Sequence, residues 1–207
     1  MSSVVSAVDL KIGYSSSSVL ANIDNLQIVK GEIISIIGES GIGKTTLIRN
    51  IAKLQEPLAG ELLIFGLDTR PKRGNVGYIP QKLGLIKHDT VYFNVLEGAI
   101  CHQSIFRSVS GFHDQKVIDK VEESIKLMRL SDKIDEPIKY LSGGQQRRVA
   151  VARTMAQGAK LILADEFLSE LDDKTADTVW NVMHDYVKAN QITLIIVEHN
   201  IERAKLA

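Results

Sequence analysis

The residues with the clearest chemical potential stand in a glycine-rich segment around residue 40. The run Gly38-Glu39-Ser40-Gly41-Ile42-Gly43-Lys44-Thr45 matches the pattern G-x-x-x-x-G-K-[ST]. Glycines let such a loop curl so that its N–H groups point at phosphate oxygens, which the dipole of a following helix also attracts. Lys44 is expected to reach the β- and γ-phosphates, and the Thr45 hydroxyl to ligate Mg²⁺. The segment therefore predicts nucleotide binding rather than a merely structural glycine turn.

Two further segments carry groups suited to phosphate chemistry. Leu141-Ser142-Gly143-Gly144-Gln145-Gln146-Arg147 predicts a helix start, with Ser142 as N-cap and Gln145 at the capping-box spacing. Its glycines would leave helix N-terminal amides open to a second anion, although an ordinary capped helix with a flexible entry fits the same residues. The apolar run Leu161–Ala164 delivers Asp165 and Glu166 at a strand end, where ligands bind in open α/β sheets. Alone, such an acidic pair could equally be a solvated strand end.

The elements that must position these groups follow from hydrophobic periodicity. Glu32–Ile37 predicts a strand buried on both faces of a parallel sheet, directly before the glycine-rich loop. After the loop, apolar residues at helical spacing predict a helix that Pro57 ends, through Leu47, Ile48, Ile51 and Leu54. The chain should open with antiparallel strands around Val8–Ile12 and Ile23–Ile28, and should close with alternating helices and strands: a helix to about Gln157, a helix around Asp173–Lys188 and a strand over Ile192–Val197. Between them, one apolar stripe predicts an amphipathic helix, through Val117, Ile118, Val121, Ile125 and Met128.

Composition excludes several classes of protein. The 207 residues are 44% hydrophobic and carry 25 basic and 25 acidic side chains, so we expect a folded, neutral chain without a nucleic-acid footprint. No apolar run approaches the roughly 20 residues that span a bilayer, and the N-terminus lacks the pattern of a secretory signal. The single cysteine, Cys101, cannot form an internal disulfide, which favours the cytosol. Its spacing to His88, His102 and His113 matches no structural zinc pattern.

Together these segments resemble the phosphate loop, the signature motif and the Walker B element of ABC ATPases, the nucleotide-binding subunits of ABC transporters. The resemblance covers essentially the whole chain. It implies an α/β fold: a P-loop NTPase core with a parallel sheet, an antiparallel β subdomain at the N-terminal side and an inserted α-helical lobe. A single ABC ATPase domain over 1–207 is expected, with the ATP-binding core in 1–82 and 142–207 and the helical lobe in 83–141.

The resemblance also implies roles for individual residues. Glu166 is expected to be the general base for the attacking water, His199 to contact the γ-phosphate, and Gln81 to link Mg²⁺ and the water to the helical lobe. Mg²⁺ is expected at Thr45, Gln81 and, through its water shell, Asp165. The residues expected around ATP are Tyr14, which would stack on adenine, with Gly38, Glu39, Ser40, Gly41, Ile42, Gly43, Lys44, Thr45 and Thr46. Those expected to contact the ATP of a partner subunit are Ser142, Gly143, Gly144, Gln145 and Asp172.

In this family two subunits close head to tail around two ATP molecules. The implied partners are a second copy or a paralogous ATPase subunit, transmembrane permease subunits and, for an importer, a substrate-binding protein, with no nucleic acid among them. The expected location is the cytoplasmic face of the cell membrane, where permease subunits would hold the chain. With eight residues after His199, we expect this sequence not to include the C-terminal regulatory domain of some relatives.

The transported substance is indicated less directly. Asn94–Gly98, Phe106–Phe112 and Leu171–Ala176 are similar to segments of phosphonate-importer ATPases, which implies import of a phosphonate or a related oxyanion. A lipoprotein-releasing or macrolide-type exporter and a soluble ABC ATPase of iron–sulfur assembly remain alternatives. The chain departs from the family pattern at two positions: Phe167 stands where proline is usual, and Glu170 where a small residue is common. Neither departure removes a catalytic group.

Overall fold

The computed structural model describes residues 3–102, 113–169 and 171–198. The strands are β1 (Ser3–Ser15), β2 (Ser18–Val29), β3 (Ile33–Ile37), β4 (Ala59–Ile64), β5 (Val76–Ile79), β6 (Leu161–Asp165) and β7 (Thr193–Glu198). The α-helices are α1 (Lys44–Ile51), α2 (Val91–Ala99), α3 (Gln115–Leu127), α4 (Gly143–Gln157) and α5 (Asp173–Ala189). None of these helices combines the length and apolar character that a membrane span requires.

The N-terminal strands form an antiparallel sheet in the order β2-β1-β4. Val5 on the central strand β1 pairs with Ile28 of β2 on one side and with Ile64 of β4 on the other. The predicted antiparallel opening is thus confirmed, and β4 joins it as a third strand that the hydrophobic pattern did not indicate. Val5 and Ala7, and then Leu10 and Ile12, are buried along β1, as expected of a sheet with one face against a core. The alternation shifts by one residue at Asp9, which has φ 48°, so Val8 is exposed.

The second sheet is parallel, in the order β3-β7-β6-β5. Every residue of β6 and β7 is buried, because each of these strands lies between two neighbours and is covered on both faces. The prediction that Glu32–Ile37 is buried on both faces is wrong: β3 is only half-buried, and Ile37 is exposed. The physical reason is its position at the edge of the described sheet, where only β7 pairs with it.

Apolar side chains on opposite faces of the parallel sheet belong to two cores. Ile162 and Ala164 of β6 pack with the helices α2, α3, α4 and α5. Leu161 and Leu163 of the same strand pack against α1 and the antiparallel sheet. This alternation is the period of two that a strand imposes. The sheet therefore holds the antiparallel subdomain on one side and the helices on the other.

Two helices frame the site. Helix α1 ends at Ile51, so the prediction that Leu54 continues its apolar face is wrong: Leu54 lies past the helix and is exposed, after Lys53 at φ 53° has turned the chain away. Helix α4 begins at Gly143 as predicted, behind a complete capping box made by Ser142 and Gln145. The predicted amphipathic helix is α3, which packs with α2 against α4.

Candidate nucleotide-binding and catalytic site

A cavity of about 210 Å³ lies at the carboxyl end of the parallel sheet, beside the start of α1. All but one of the residues that line it were predicted to act on the same nucleotide, although they are far apart in the sequence. Its lining comprises Tyr14, Leu20, Ser40, Gly41, Gly43, Lys44, Thr45, Thr46, Gln81 and Glu166. The predicted phosphate loop, the predicted adenine contact and two predicted catalytic residues therefore meet at one place.

The start of α1 is built to receive an anion. Gly43 precedes the helix with φ 107°, in the left-handed region that favours glycine, and no side chain caps the helix. The first amides of a helix have no intrahelical acceptor, and the first residues of α1, Lys44, Thr45 and Thr46, line the cavity. A Cβ on Gly43 would also lie 3.1 Å from the Cβ of Leu20, which closes one wall. Both backbone conformation and space require glycine here.

Lys44 is held in place by the loop itself. Its Nζ donates to the carbonyl oxygens of Gly38 at 2.6 Å and of Glu39 at 2.7 Å, while the side chain is 8% exposed. A buried cation paired only with neutral carbonyls is well placed to attract phosphate, since ionised partners strengthen hydrogen bonds. Gly38, Glu39 and Ile42 do not line the cavity: the first two anchor Lys44, and Ile42 projects outward with 53% of its surface exposed.

Two of the three residues predicted to bind Mg²⁺, Thr45 and Asp165, are in contact with each other. The Thr45 hydroxyl donates to Oδ1 of Asp165 at 3.1 Å, and Asp165 is 1% exposed. Burial raises the pKa of the Asp165 carboxyl and the nearby Glu166 charge acts in the same direction, whereas the Thr45 hydrogen bond lowers it. Arg49 and Tyr78 also stand beside this carboxyl and favour its charged form. Thr45 and Asp165 thus supply hard oxygen ligands, and burial disfavours the charged form of the Asp165 carboxyl.

Glu166 leaves β6 in a conformation that is unusual for its residue type. Its φ is 52°, in the left-handed region, and its amide donates to the Val197 carbonyl at 3.2 Å. The carboxylate oxygen Oε2 accepts a hydrogen bond of 2.9 Å from Nε2 of Gln81. The two residues predicted to handle the attacking water are therefore in direct contact at the cavity wall.

The start of α4 lies outside this cavity. Ser142 and Gln145 close the capping box, with the Ser142 amide 2.8 Å from Oε1 of Gln145 and the Gln145 amide 3.3 Å from Oγ of Ser142. Ser142 and Gly143 are exposed, and a Cβ on Gly143 would meet no atom of the described residues within 4 Å. At Gly144 such a Cβ would lie 3.3 Å from the Leu171 side chain. The described residues thus leave room for a side chain at position 143.

Of the remaining residues discussed above, Tyr14 and Asp172 are described by the structure and the others are not. Tyr14 is 72% exposed at the cavity rim, as a stacking surface would be. Asp172 is the N-cap of α5, where its Oδ1 accepts from the Thr175 amide at 3.0 Å. This hydrogen bonding lowers the pKa of the Asp172 carboxyl. His199 and Glu170 lie outside the described residues, as does the segment 106–112.

The oxygen ligands at the cavity suit magnesium better than a transition metal. No group of three or more His, Cys, Asp or Glu side chains that could hold a metal occurs within residues 3–102, 113–169 and 171–198. Mg²⁺ needs no such protein cage, because it keeps several waters and binds through one or two protein oxygens plus substrate phosphates. The hydroxyl of Thr45 and the carboxylate of Asp165 fit that requirement.

Several neighbours of the site were not predicted from the sequence. Leu20 follows the first turn and has no chemical group that would mark it as a cavity residue. Tyr78 and Arg49 adjoin Asp165 from β5 and α1. Arg147 reaches the backbone of Glu166 from α4. A one-dimensional pattern does not show these contacts because each joins separate elements across the core.

Comparison with known proteins decides the family. The ABC transporter family model matches residues 21–169, most of the chain. The chain belongs to the ABC transporter family. Among its relatives is the "Phosphonates import ATP-binding protein PhnC 1" of Halalkalibacterium halodurans, 36% identical over 189 residues that cover 87% of this chain and 74% of the relative. The similarly named protein of Bacillus anthracis is 36% identical over 192 residues, with the same coverage of both chains.

Solved structures of ABC cassettes share the fold. A dimeric bacterial ABC transporter cassette superimposes with a TM-score of 0.85 at 26% identity, covering 98% of this chain and 91% of the other. A dimeric ATP-binding cassette in a post-hydrolysis state, bound to ADP and phosphate, gives a TM-score of 0.84 at 26% identity and the same coverage. This member of the ABC transporter family is therefore an ATP-binding subunit and an ATPase, and the α/β fold expected from its motifs is confirmed.

Proposed function

We propose that this ABC ATPase powers the import of a phosphonate or a related oxyanion, by hydrolysing Mg²⁺-ATP in a head-to-tail dimer. The relatives named above are phosphonate import proteins, and this chain covers about three quarters of each. The proposal of ATP hydrolysis is supported by one observation: the same cavity is lined by Lys44, Thr45, Gln81 and Glu166. The cargo rests on the relatives, because the transported molecule would not touch this site.

ATP would lie with its phosphates over the start of α1. The uncapped amides of that helix and the Lys44 ammonium would bind the phosphate oxygens, and the exposed ring of Tyr14 would stack on adenine. On binding ATP, Lys44 would exchange neutral carbonyl partners for phosphate oxygens. This exchange favours the nucleotide because the new acceptors are charged.

Magnesium would sit beside the contact between Thr45 and Asp165, with Gln81 as a further ligand. The Thr45 hydroxyl would bind it directly, and Asp165 through a coordinated water. When bound, the ion neutralises charge on the β- and γ-phosphates. A nearby cation would also offset the burial that raises the pKa of Asp165, so the site's own electrostatics favour its occupation.

Glu166 would accept the proton of the water that attacks the γ-phosphorus, giving ADP and phosphate. Its carboxylate lines the cavity and already accepts a hydrogen bond from Gln81, which would orient both the carboxylate and the water. His199, the next residue after β7, would contact the γ-phosphate. These roles follow the family resemblance and agree with the position of Glu166 in the cavity.

A second copy, or a paralogous subunit, would complete each ATP site. The start of α4, with Ser142, Gly143, Gly144 and Gln145, does not reach the cavity of its own chain. Its capping box occupies the amides of Ser142 and Gln145, so the amides of Gly143 and Gly144 would bind the ATP of a partner. Asp172 would face the same interface. Permease subunits would hold the dimer at the cytoplasmic face of the membrane, and a substrate-binding protein would deliver the oxyanion.

Growth tests the cargo. A strain that lacks this gene should fail to grow on methylphosphonate as sole phosphorus source yet grow normally on phosphate. A plasmid with the natural gene should restore growth, whereas one with Lys44→Ala should not. Normal growth of the deletion strain on methylphosphonate would refute the cargo. A pull-down from solubilised membranes then separates the alternatives, because purely soluble partners would refute a transporter role.

A further inference from the structure

We propose that Arg147 is a positioning residue for hydrolysis, which holds the backbone of Glu166 so that its carboxylate faces the cavity. The proposal rests on the function proposed above, in which Glu166 is the general base. It assigns to the buried face of α4 a task distinct from that of its exposed start. The same helix that is expected to contact the partner's ATP would then fix the base of its own chain.

The main-chain carbonyl of Glu166 is an unusually well-supported acceptor. It receives hydrogen bonds from the Ser169 amide at 3.0 Å, from the Ser169 hydroxyl at 2.7 Å and from Nη1 of Arg147 at 3.2 Å. A non-glycine residue at φ 52° persists only where its surroundings determine the conformation. Two of these three donors come from the turn itself, whereas Arg147 reaches the carbonyl from a separate element, helix α4.

Arg147 is placed to act through this carbonyl and not through solvent or ATP. The side chain is 3% exposed and lies on α4 between the capping box and the apolar core. It does not line the nucleotide cavity, so it cannot be a direct ligand in this conformation. A buried guanidinium is costly unless its N–H groups are bonded, and the Glu166 carbonyl supplies one such acceptor.

Helix α4 is expected to contact the ATP of the partner subunit through its start, and through Arg147 it also contacts Glu166 beside the ATP site of its own chain. Ser142 stands five positions before Arg147, at the N-cap of the same helix. If a partner's phosphates displaced the start of this helix, the Arg147 side chain would move with it. Glu166 would respond because its turn bonds to that side chain. Closure of one composite site could in this way set the carboxylate of the other.

The test compares variants by steady-state phosphate release and by ATP binding. Arg147→Met keeps most of the side-chain volume but removes the donor. We expect kcat to fall by about tenfold to hundredfold, because at least the charge-assisted hydrogen bond to the Glu166 carbonyl is lost, with KM and the Kd for ATP changed less than threefold. Arg147→Lys retains a cationic donor and should recover kcat to within about fivefold of the natural chain.

A matched control separates this effect from lost stability. The Tyr186 hydroxyl donates to the Met155 carbonyl at 2.8 Å, near the opposite end of α4. Tyr186→Phe therefore removes one side-chain hydrogen bond to the same helix and should lower the melting temperature while leaving kcat within twofold. If Arg147→Met does not fold, Arg147→Gln replaces it, because the shorter amide side chain should lose the Glu166 contact while keeping a polar group.

A double-mutant cycle with Glu166→Gln decides the assignment. If Arg147 acts through Glu166, then Arg147→Met in the Glu166→Gln background should reduce the residual rate by less than threefold. Independent, multiplied losses in the cycle, or an unchanged kcat for the single Arg147→Met variant, would overturn the positioning role. Near-natural turnover of Glu166→Gln alone would instead refute the proposed base. The two failures are therefore distinguishable.

Discussion

Gly143→Ala separates what the fold needs from what the dimer needs. Gly143 is the first residue of α4, it is exposed, and an added Cβ would meet none of the described atoms within 4 Å. Glycine in a helix is destabilising by about 0.5–1 kcal/mol relative to alanine, so alanine should stabilise the monomer by up to that amount. For a domain of this size the gain corresponds to a rise of about 1–4 °C in Tm.

The same methyl group should impair hydrolysis. In the dimer a partner's γ-phosphate would approach the Gly143 amide, and a Cβ would hold it away. Loss of one hydrogen bond to a charged group weakens an interaction by about 1.5–3 kcal/mol, so phosphate release should fall by about tenfold to hundredfold. The expected result is thus a protein that melts higher and hydrolyses slower.

Scanning fluorimetry and a phosphate-release assay at saturating Mg²⁺-ATP measure both quantities on one preparation. Gln115→Ala is the control, because Gln115 is the first residue of α3 and its side chain bonds only to exposed Asp119 among the described contacts. It should leave kcat within twofold. ATPase activity of Gly143→Ala within twofold of the natural chain would refute the argument that glycine serves close approach. A fall of several degrees in Tm would refute its neutrality in the fold.

Three further experiments test the role of Lys44 in ATP binding, the burial of Phe167 and the reactivity of Cys101. Lys44→Ala should weaken ATP binding at least a hundredfold, measured with a fluorescent ATP analogue, because it removes the buried ammonium that two loop carbonyls hold in place; affinity within fivefold would contradict this. Phe167→Ala should lower the free energy of unfolding by about 3–5 kcal/mol in urea titrations, since Phe167 is fully buried in the helical core; a loss below 1 kcal/mol would contradict that burial. Burial raises the pKa of the Cys101 thiol, although Arg73 nearby acts in the opposite direction, and only the thiolate reacts. Iodoacetamide should therefore modify Cys101 more slowly than free cysteine at pH 7.5, and the rate should rise with pH beyond the range where free cysteine levels off; a faster reaction at pH 7.5 would contradict this.

The sequence predicted best where local rules decide the structure. The glycine-rich loop had to be followed by a helix because Gly43 and Lys44 can serve phosphate only at a helix start. The capping box of Ser142 and Gln145 placed the start of α4 at the right residue because both hydrogen bonds are local. Asp165 and Glu166 lie at the end of β6 as their position after an apolar run indicated.

It predicted less well where distant contacts decide. The composition of β3 is that of a buried strand, but its edge position follows from pairing with β7, about 160 residues later. Strand β4 is defined by its pairing with β1 rather than by its own pattern. The supports of the candidate base were also hidden, because Arg147 approaches Glu166 from another element. Such contacts depend on the assembled core.

Phe167 illustrates how a departure from the family pattern acquires a physical reason. Proline, the usual residue there, could not donate a backbone hydrogen bond, whereas phenylalanine adds a large apolar side chain. In this chain that side chain is fully buried in the core on the helical side of the parallel sheet. Phe167 therefore packs into the core directly beside Glu166, while the Glu166 side chain lines the cavity.

The central claim is that ATP binds between two copies of this chain. Sedimentation velocity of the Glu166→Gln variant tests it most directly, because slow hydrolysis should let the ATP-bound state accumulate. We predict a species of 22.9 kDa without nucleotide or with ADP, and one of twice that mass with Mg²⁺-ATP. A second change, Ser142→Asp, keeps an N-cap but sets a carboxylate against the partner's phosphates, and should hold the protein monomeric. A Glu166→Gln protein that binds ATP yet stays at 22.9 kDa would contradict the binding of ATP between two copies of this chain.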